Sequence, residues 1–462
     1  MKRINLFFVL VVLAGLCHAQ NIDTNFAKPL EDVLKEVEQR FQIQLSYDEK
    51  VIQPLQVEFA QWRFRDDAEE TLHLVLGTTG LVFEKQEEGN YKIERFRYHI
   101  RPVDEGRKHL ERLAKLYPDL VSWESRKVEL KNCILNKLGL NPMPEKMPLN
   151  PVSTPVSKMD GYTVQHVALE SLPGVYVSGT LYRPLRMKGK HPAVLLAQGH
   201  GEIQHYGESS QKLAGTLARM GAVVFSYDMF AKGESALQFA FEDHRTGMAQ
   251  TMQTWSSIRV LDFLSSLPEV DASKIGMTGA SGGGTQTFLL TALDDRIAVS
   301  APVVMVSSWF FGGCPCESGM PIHMCGPRGT NNVEIAAMAS PRPLLVVSDG
   351  GDWTANVPEI EFPYLQARYA LYNQTDRLQN VHLPDEGHDY GPSKRAAVYQ
   401  FFARKLGLDL ATAQNKAGQI DESSVKMQSR EDMLVFGLDG AKLPTHAIHG
   451  LDALKSLFPG WK

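Results

Sequence analysis

The 462-residue chain is 43% hydrophobic and 22% charged, with 37 glycines, 25 prolines and five cysteines. That balance excludes a disordered chain, a collagen-like chain and a disulfide-dense miniprotein, and the length suits about three domains or one large α/β domain with additions. Forty-eight basic against 53 acidic residues give a formal charge of −5, without the concentrated basic face that nucleic-acid binding requires.

Residues 1–19 have the layout of a secretory signal peptide. Lys2 and Arg3 precede an apolar run from Leu6 to Leu16, and Cys17-His18-Ala19 supplies the small-residue cleavage site. The run falls short of the about 20 apolar residues that span a bilayer, and no later segment reaches that length. The expectation is an exported protein, periplasmic or secreted, with no transmembrane segment. A lipid anchor on Cys17 would need a small residue directly before it, and Leu16 occupies that place.

Residues 20–97 read as a small α+β domain. Pro29 opens a helix in which Leu30, Val33, Leu34, Val37 and Phe41 share a face. Ile43, Leu45 and Tyr47 alternate, as do Leu55, Val57 and Phe59, which predicts two half-buried strands. A second helix runs from Asp67 to Leu76 and stops at Gly77; Leu81–Phe83 and Tyr91–Ile93 supply closing strands. The segments Pro29-Leu-Glu-Asp-Val-Leu34, Leu45-Ser-Tyr-Asp48 and Leu76-Gly-Thr-Thr-Gly-Leu81 resemble the short N-terminal domain of secretins and TonB-dependent receptors. The resemblance implies a module that binds a periplasmic protein partner and has no catalytic part.

Residues 98–159 read as a helical lead-in, with Leu110, Leu113 and Leu116 on one face. A proline-rich link closes it at Asn141-Pro-Met-Pro-Glu145 and Pro148-Leu-Asn-Pro151. From 160 to 407 short apolar runs recur between helical patterns, at Val194–Ala197, Val223–Tyr227, Ile275–Thr278, Ala301–Val304 and Leu344–Val347. Strands of that kind belong to a mostly parallel sheet covered by helices on both faces, an α/β class. Residues 408–462 form a C-terminal extension, apolar enough to dock at Leu434–Leu438 and Leu451–Phe458.

Gly279-Ala280-Ser281-Gly282-Gly283 is a G-x-S-x-G motif between a predicted strand and a predicted helix. A serine on such a turn is held out at the top of a sheet, and the flanking glycines let the backbone turn tightly. Its hydroxyl needs a base, itself oriented by an acid, and in this arrangement the chain order is Ser, acid, His. Asp349 and Asp352 both follow the strand at Leu344, and the loop continuing Trp353-Thr-Ala-Asn-Val-Pro358 favours Asp352, with Asp349 left to cap the turn. His388, in Glu386-Gly-His-Asp-Tyr390, is the expected base, while His382 lies inside the preceding strand and Glu386 and Asp389 are spare carboxylates. The oxyanion would be held by the backbone N–H groups of Gly282 and of His200, in Gln198-Gly-His-Gly-Glu202; the His200 imidazole could instead meet substrate. Cys314, Cys316, His323 and Cys325 crowd into twelve residues and suit zinc, a disulfide to Cys325 or free thiols. Asp228, Gly233 and Ser235 read as structural supports beneath the site.

The Ser281, Asp352 and His388 arrangement resembles an α/β-hydrolase. More narrowly, Pro268-Glu-Val-Asp271, Lys274-Ile-Gly276, Thr278-Gly-Ala-Ser-Gly-Gly-Gly284, Gly313-Cys-Pro-Cys-Glu317 and Ala339-Ser-Pro-Arg-Pro343 resemble the acetyl xylan esterase-like branch. Glucuronoyl esterases carry an arginine after the nucleophile, where this chain has Gly282, which argues against that branch. The resemblance implies an exported serine esterase removing small acyl groups, acetyl above all, from carbohydrate, with no cofactor or metal. A carboxylesterase for non-carbohydrate esters is the alternative. A prolyl-oligopeptidase-like peptidase is the other, but the about 140 residues ahead of the hydrolase are too few for a propeller.

Overall fold

A computed structural model of the chain describes residues 27–95 and 101–461, apart from 78, 80, 202, 319, 320 and 327. The signal expected at 1–19 lies outside the described residues. The chain divides into two compact units, Met1–Phe96 and Arg97–Lys462.

In the first unit helix α1 (Leu30–Phe41) buries Leu30, Val33, Leu34 and Val37. After it come strand β1 (Gln44–Ser46), helix α2 (Ala68–Leu76), and strands β2 (Leu81–Glu87) and β3 (Asn90–Arg95), in the sheet order β1-β3-β2. The Asp67 carboxylate caps α2 by accepting from the Glu70 N–H. The alternation Leu55, Val57, Phe59 does not continue as a strand. Only Gln56–Val57 is extended, paired with Lys28–Pro29, and Phe59 turns to φ 51° and lies exposed against Trp62. Three alternating apolar residues are too short a pattern to separate a strand from a turn with surface aromatics.

The second unit is built on a ten-stranded sheet. Helices α3 (Val103–Leu116) and α4 (Leu120–Lys137) precede it. The sheet's main strands are β4 (Tyr162–Leu172), β5 (Val175–Pro184), β6 (His191–Ala197), β7 (Val223–Tyr227), β8 (Val270–Ala280), β9 (Ile297–Val303), β10 (Leu344–Asp349) and β11 (Leu378–Leu383). Their order is β11-β10-β9-β8-β6-β7-β5-β4, parallel from β11 to β7 and antiparallel from there to β4, where Val152–Ser153 and Ser157–Lys158 add short edge pairs. This is the mostly parallel, helix-covered sheet expected from the apolar runs, in the α/β-hydrolase arrangement that the resemblance implies.

Those runs are continuous because both faces of the sheet are covered. Along β6, Val194 and Leu196 enter one core while Ala193, Leu195 and Ala197 enter the other. Helices α5 (Glu208–Arg219) and α8 (Pro392–Phe402) close the first face; α6 (Gly247–Ser266) and α7 (Gly282–Leu293) lie across the second.

The segments flanking 160–407 are packed into the same unit. On α4, Trp123 is fully buried and donates to Ser340 Oγ at 3.1 Å, and Arg126 pairs with the equally buried Glu334 at 3.0 Å. From the tail, the N–H groups of Val435 and Phe436 donate to the Glu234 carboxylate, and Arg395 pairs with Glu422 at 2.6 Å. The residues ahead of β4 therefore form a small unit, two helices and a strap, not propeller blades. Among the described residues no helix is long and apolar enough to cross a membrane.

Candidate functional site

Loops from the carboxyl ends of β6, β8 and β11 surround a cavity of about 590 Å³, lined by Gly199, His200, Ser281, His388, Asp389 and Tyr390 among others. That is where ligands sit in parallel sheets of this type, and the volume lies within the about 300–1,000 Å³ of small-molecule clefts. Ser281 stands between β8 and α7 at φ 56°, ψ −125°, its N–H donating to Val303 O at 3.1 Å. A non-glycine residue at such φ is strained and is held there by its surroundings.

The glycines around it are dictated by close packing. A Cβ at 279 or 283 would come within 2.6 or 2.3 Å of Ala197 O, the last residue of β6. At 282 it would meet Met229 Cε at 2.6 Å and His200 Nδ1 at 3.0 Å. The space beside the nucleophile that another sequence could give to a side chain is here filled by Met229 and His200.

The sequence-predicted acid and base come together. His388 Nδ1–H donates to Asp352 Oδ2 at 2.6 Å, and the other carboxylate oxygen of Asp352 accepts from the Thr354 N–H at 2.6 Å and the Thr354 hydroxyl at 2.5 Å. The Asp352 side chain is 2% exposed and that of His388 32%, with the imidazole leaning on Trp353 at 4.4 Å between ring centres. Asp349 takes no part in that pair. It accepts from the Gly351 N–H, as the turn cap anticipated, and pairs with Lys394 at 3.2 Å. Burial, and next the Asp352 carboxylate, push the Asp349 carboxyl above its ordinary range. His382 is engaged within the sheet by Ser348 Oγ.

Lys394 was not singled out in the sequence. Its fully buried ammonium reaches Asp349, Glu386 (3.2 Å) and Asp389 (2.8 Å) and donates to Gly387 O at 2.7 Å, so it fastens both spare carboxylates and the loop that carries His388. Burial works against this ammonium, but the bonds to Asp389, Glu386 and Asp349 outweigh it and hold the lysine above its usual pKa. A signal existed: Lys394 and Arg395 stand in the first turn of α8, where the helix dipole disfavours cations unless nearby acids hold them.

The loop after β6 is fixed through its carbonyls. Gln286 donates to Gln198 O at 3.0 Å, Gln204 to Gly199 O at 3.1 Å and to Gly201 O, and Lys232 to His200 O at 3.1 Å. The His200 imidazole has Nε2 at 2.9 Å from Cys316 Sγ and its ring edge-on to His244. Beneath, buried Asp228 accepts from Ser178, Tyr206 and the Glu234 N–H, and pairs with His205 at 2.5 Å. Gly233, at φ 56°, allows that approach, since a Cβ there would lie 2.0 Å from the Asp228 carboxylate, and Ser235 Oγ accepts from the Ala231 N–H.

The grouping of Cys314, Cys316, His323 and Cys325 is corrected by the structure. Cys325 is bonded to Cys133 of α4, and His323 is stacked on Phe311 with Nε2 against Asn332 Oδ1. Cys314 and Cys316 are free thiols and lie instead with His200 and His244, 116 and 70 residues back along the chain. Sequence proximity failed because the loop after β9 folds toward β6, a neighbourhood that only the strand order creates.

A family model described as "Glucuronyl esterase, fungi" matches residues 184–312. Its match runs through Gly282, so the likeness to that branch extends over the segment whose missing arginine argued against it. The solved structure of methylesterase BT1017 is 44% identical, covers 95% of this chain and 97% of its own, and superposes with a TM-score of 0.75. Among curated proteins, 4-O-methyl-glucuronoyl methylesterase 1 of Wolfiporia cocos is 24% identical over 211 residues, 39% of this chain and 51% of that one. Protein PA2218 of Pseudomonas aeruginosa is 30% identical over 125 residues, 27% of this chain and 32% of its own. The chain thus matches a third to about half the length of these curated relatives.

Proposed function

The chain belongs to the α/β-hydrolase esterase family that includes methylesterase BT1017, and from that premise we propose that it cleaves methyl esters of carbohydrate carboxylates by a Ser281–His388–Asp352 triad. The bond between His388 and Asp352, made beside the cavity that Ser281 lines, carries this reading. Asp352 on Nδ1 fixes the tautomer whose Nε2 is free to act as base. Ser281 Oγ attacks the ester carbonyl while His388 takes its proton, and the N–H groups of Gly282 and His200 hold the oxyanion. His388 then protonates the departing methoxide, methanol leaves, and water attacks the acyl-enzyme with the same histidine as base.

Methanol as leaving group is supported by the activity named for the relative that matches end to end. A carbohydrate acid as the acyl part is supported by the glucuronyl esterase match. Export through residues 1–19 is supported by the Cys133–Cys325 disulfide, a bond of oxidising compartments, and the resemblance of residues 20–97 supports assigning a periplasmic protein partner to the first unit.

Removal of acetyl groups is a second reading, favoured by Gly313-Cys-Pro-Cys-Glu317 and Ala339-Ser-Pro-Arg-Pro343 and served by the same triad. Pectin bearing both esters separates the two in one reaction. Methanol release by the wild type, with a fall of at least about 10⁴-fold in kcat for Ser281→Ala, is the expected result. Acetate without methanol would replace the methyl reading by the acetyl one, and a fully active Ser281→Ala protein would end both.

A further inference from the structure

His200, His244, Cys314 and Cys316 each offer one ligand atom, and these atoms all lie within 4.8 Å of one another. We propose that these four residues form a closed tetrahedral site for a thiophilic divalent cation, zinc, next to the nucleophile turn. The donor set is two imidazoles and two thiols, the composition of structural zinc sites, and two thiolates balance the charge of the ion. Each thiol gives up its proton on binding.

The side chains are prepared for ligation. His244 is 1% exposed; its Nδ1–H donates to Phe230 O at 2.8 Å, and its Nε2 is buried without a hydrogen-bond partner. A backbone carbonyl on the far nitrogen is the usual way a metal-binding histidine is oriented. The Cys316 thiol is fully buried, with the second imidazole, His200 Nε2, at 2.9 Å.

The thiols are not needed to hold their own loop. The Gly313 N–H donates to Glu317 at 2.9 Å, Thr285 donates to the same carboxylate, Gln253 donates to Cys316 O at 3.0 Å, and Gln250 donates to Glu317 O. A bound cation would staple three segments that come from the ends of β6, β7 and β9, among them the loop carrying the His200 N–H. It would also shield two free thiols of an exported chain from oxidation.

The test uses the full chain expressed with zinc supplementation, dialysed over a chelating resin and analysed for metal. About one zinc per chain is expected in the wild type, and less than a tenth of that in Cys316→Ser and His244→Gln. Cys314→Ser, a change at a half-buried position, tests ligation where folding is least at stake. Cobalt-substituted wild type is expected to show the intense bands of a tetrahedral ion with thiolate charge transfer, weakened in Cys314→Ser. Ser281→Ala is expected to keep the full metal content, so the esterase reading and this one fail separately. Wild-type protein without zinc, a disulfide between Cys314 and Cys316, or unchanged metal and spectrum in Cys314→Ser would each overturn the proposal.

Discussion

Replacing Lys394 by methionine removes an ammonium at the centre of three carboxylates while keeping most of the packed stem. The cost follows from burial. Glu386 and Asp389 are 34% and 62% exposed, and ion pairs of that kind are worth about 0–1 kcal/mol each. Lys394 and Asp349 are both fully buried at 3.2 Å, and removing one partner of such a pair costs about 3–5 kcal/mol. Most of the loss therefore comes from Asp349. Its carboxyl already lies above the ordinary range through burial and the neighbouring Asp352, and without the ammonium it rises further. A carboxyl whose folded pKa is raised above its unfolded value favours the folded state when protonated, and that support is lost as pH rises through the folded pKa. Lys394→Met should therefore cost little near pH 4 and about 3 kcal/mol or more near pH 8, read from urea midpoints at both. The double variant Lys394→Met/Asp349→Leu should regain most of the stability at pH 8. Its activity should stay low, because Gly387 and Asp389, beside His388, still lack their anchor. An equal penalty at both pH values, or no recovery in the double variant, would refute the assignment.

Two further outcomes are expected. The Cys133–Cys325 bond closes a loop across 192 residues, so by chain entropy Cys133→Ala with Cys325→Ala should lower stability by up to about 5 kcal/mol, seen equally as the effect of reductant on the wild-type Tm. Burial holds the His323 imidazole at about 4 against an ordinary 6.5, so the stability its neutral form contributes is complete above pH 6.5 and is lost as pH falls toward 4. That amounts to about 3 kcal/mol at most, and His323→Leu should flatten the acid limb of stability against pH; an unchanged limb would place the titration elsewhere.

The sequence by itself determined what local chemistry can write. Continuous apolar runs such as Val223–Tyr227 specified strands buried on both faces, and the glycines around Ser281 specified a turn with no room for side chains. The order Ser, Asp, His singled out Asp352 and His388, which bond, and Ser281, which lines the same cavity as His388, because loop length and chain order survive folding. The tertiary structure decided what depends on distant segments. It gave Asp352 to His388 and Asp349 to Lys394, a division that two acids three residues apart do not disclose. It moved Cys325 to Cys133 and brought His200 and His244 to Cys314 and Cys316. It also enclosed the helical lead-in within the second unit, which the proline-rich link had concealed, and gave the apolar stretches of the tail their partners there. Side-chain partnerships across a sheet are set by strand order, and strand order is fixed by how buried faces pack, which adjacent residues do not encode.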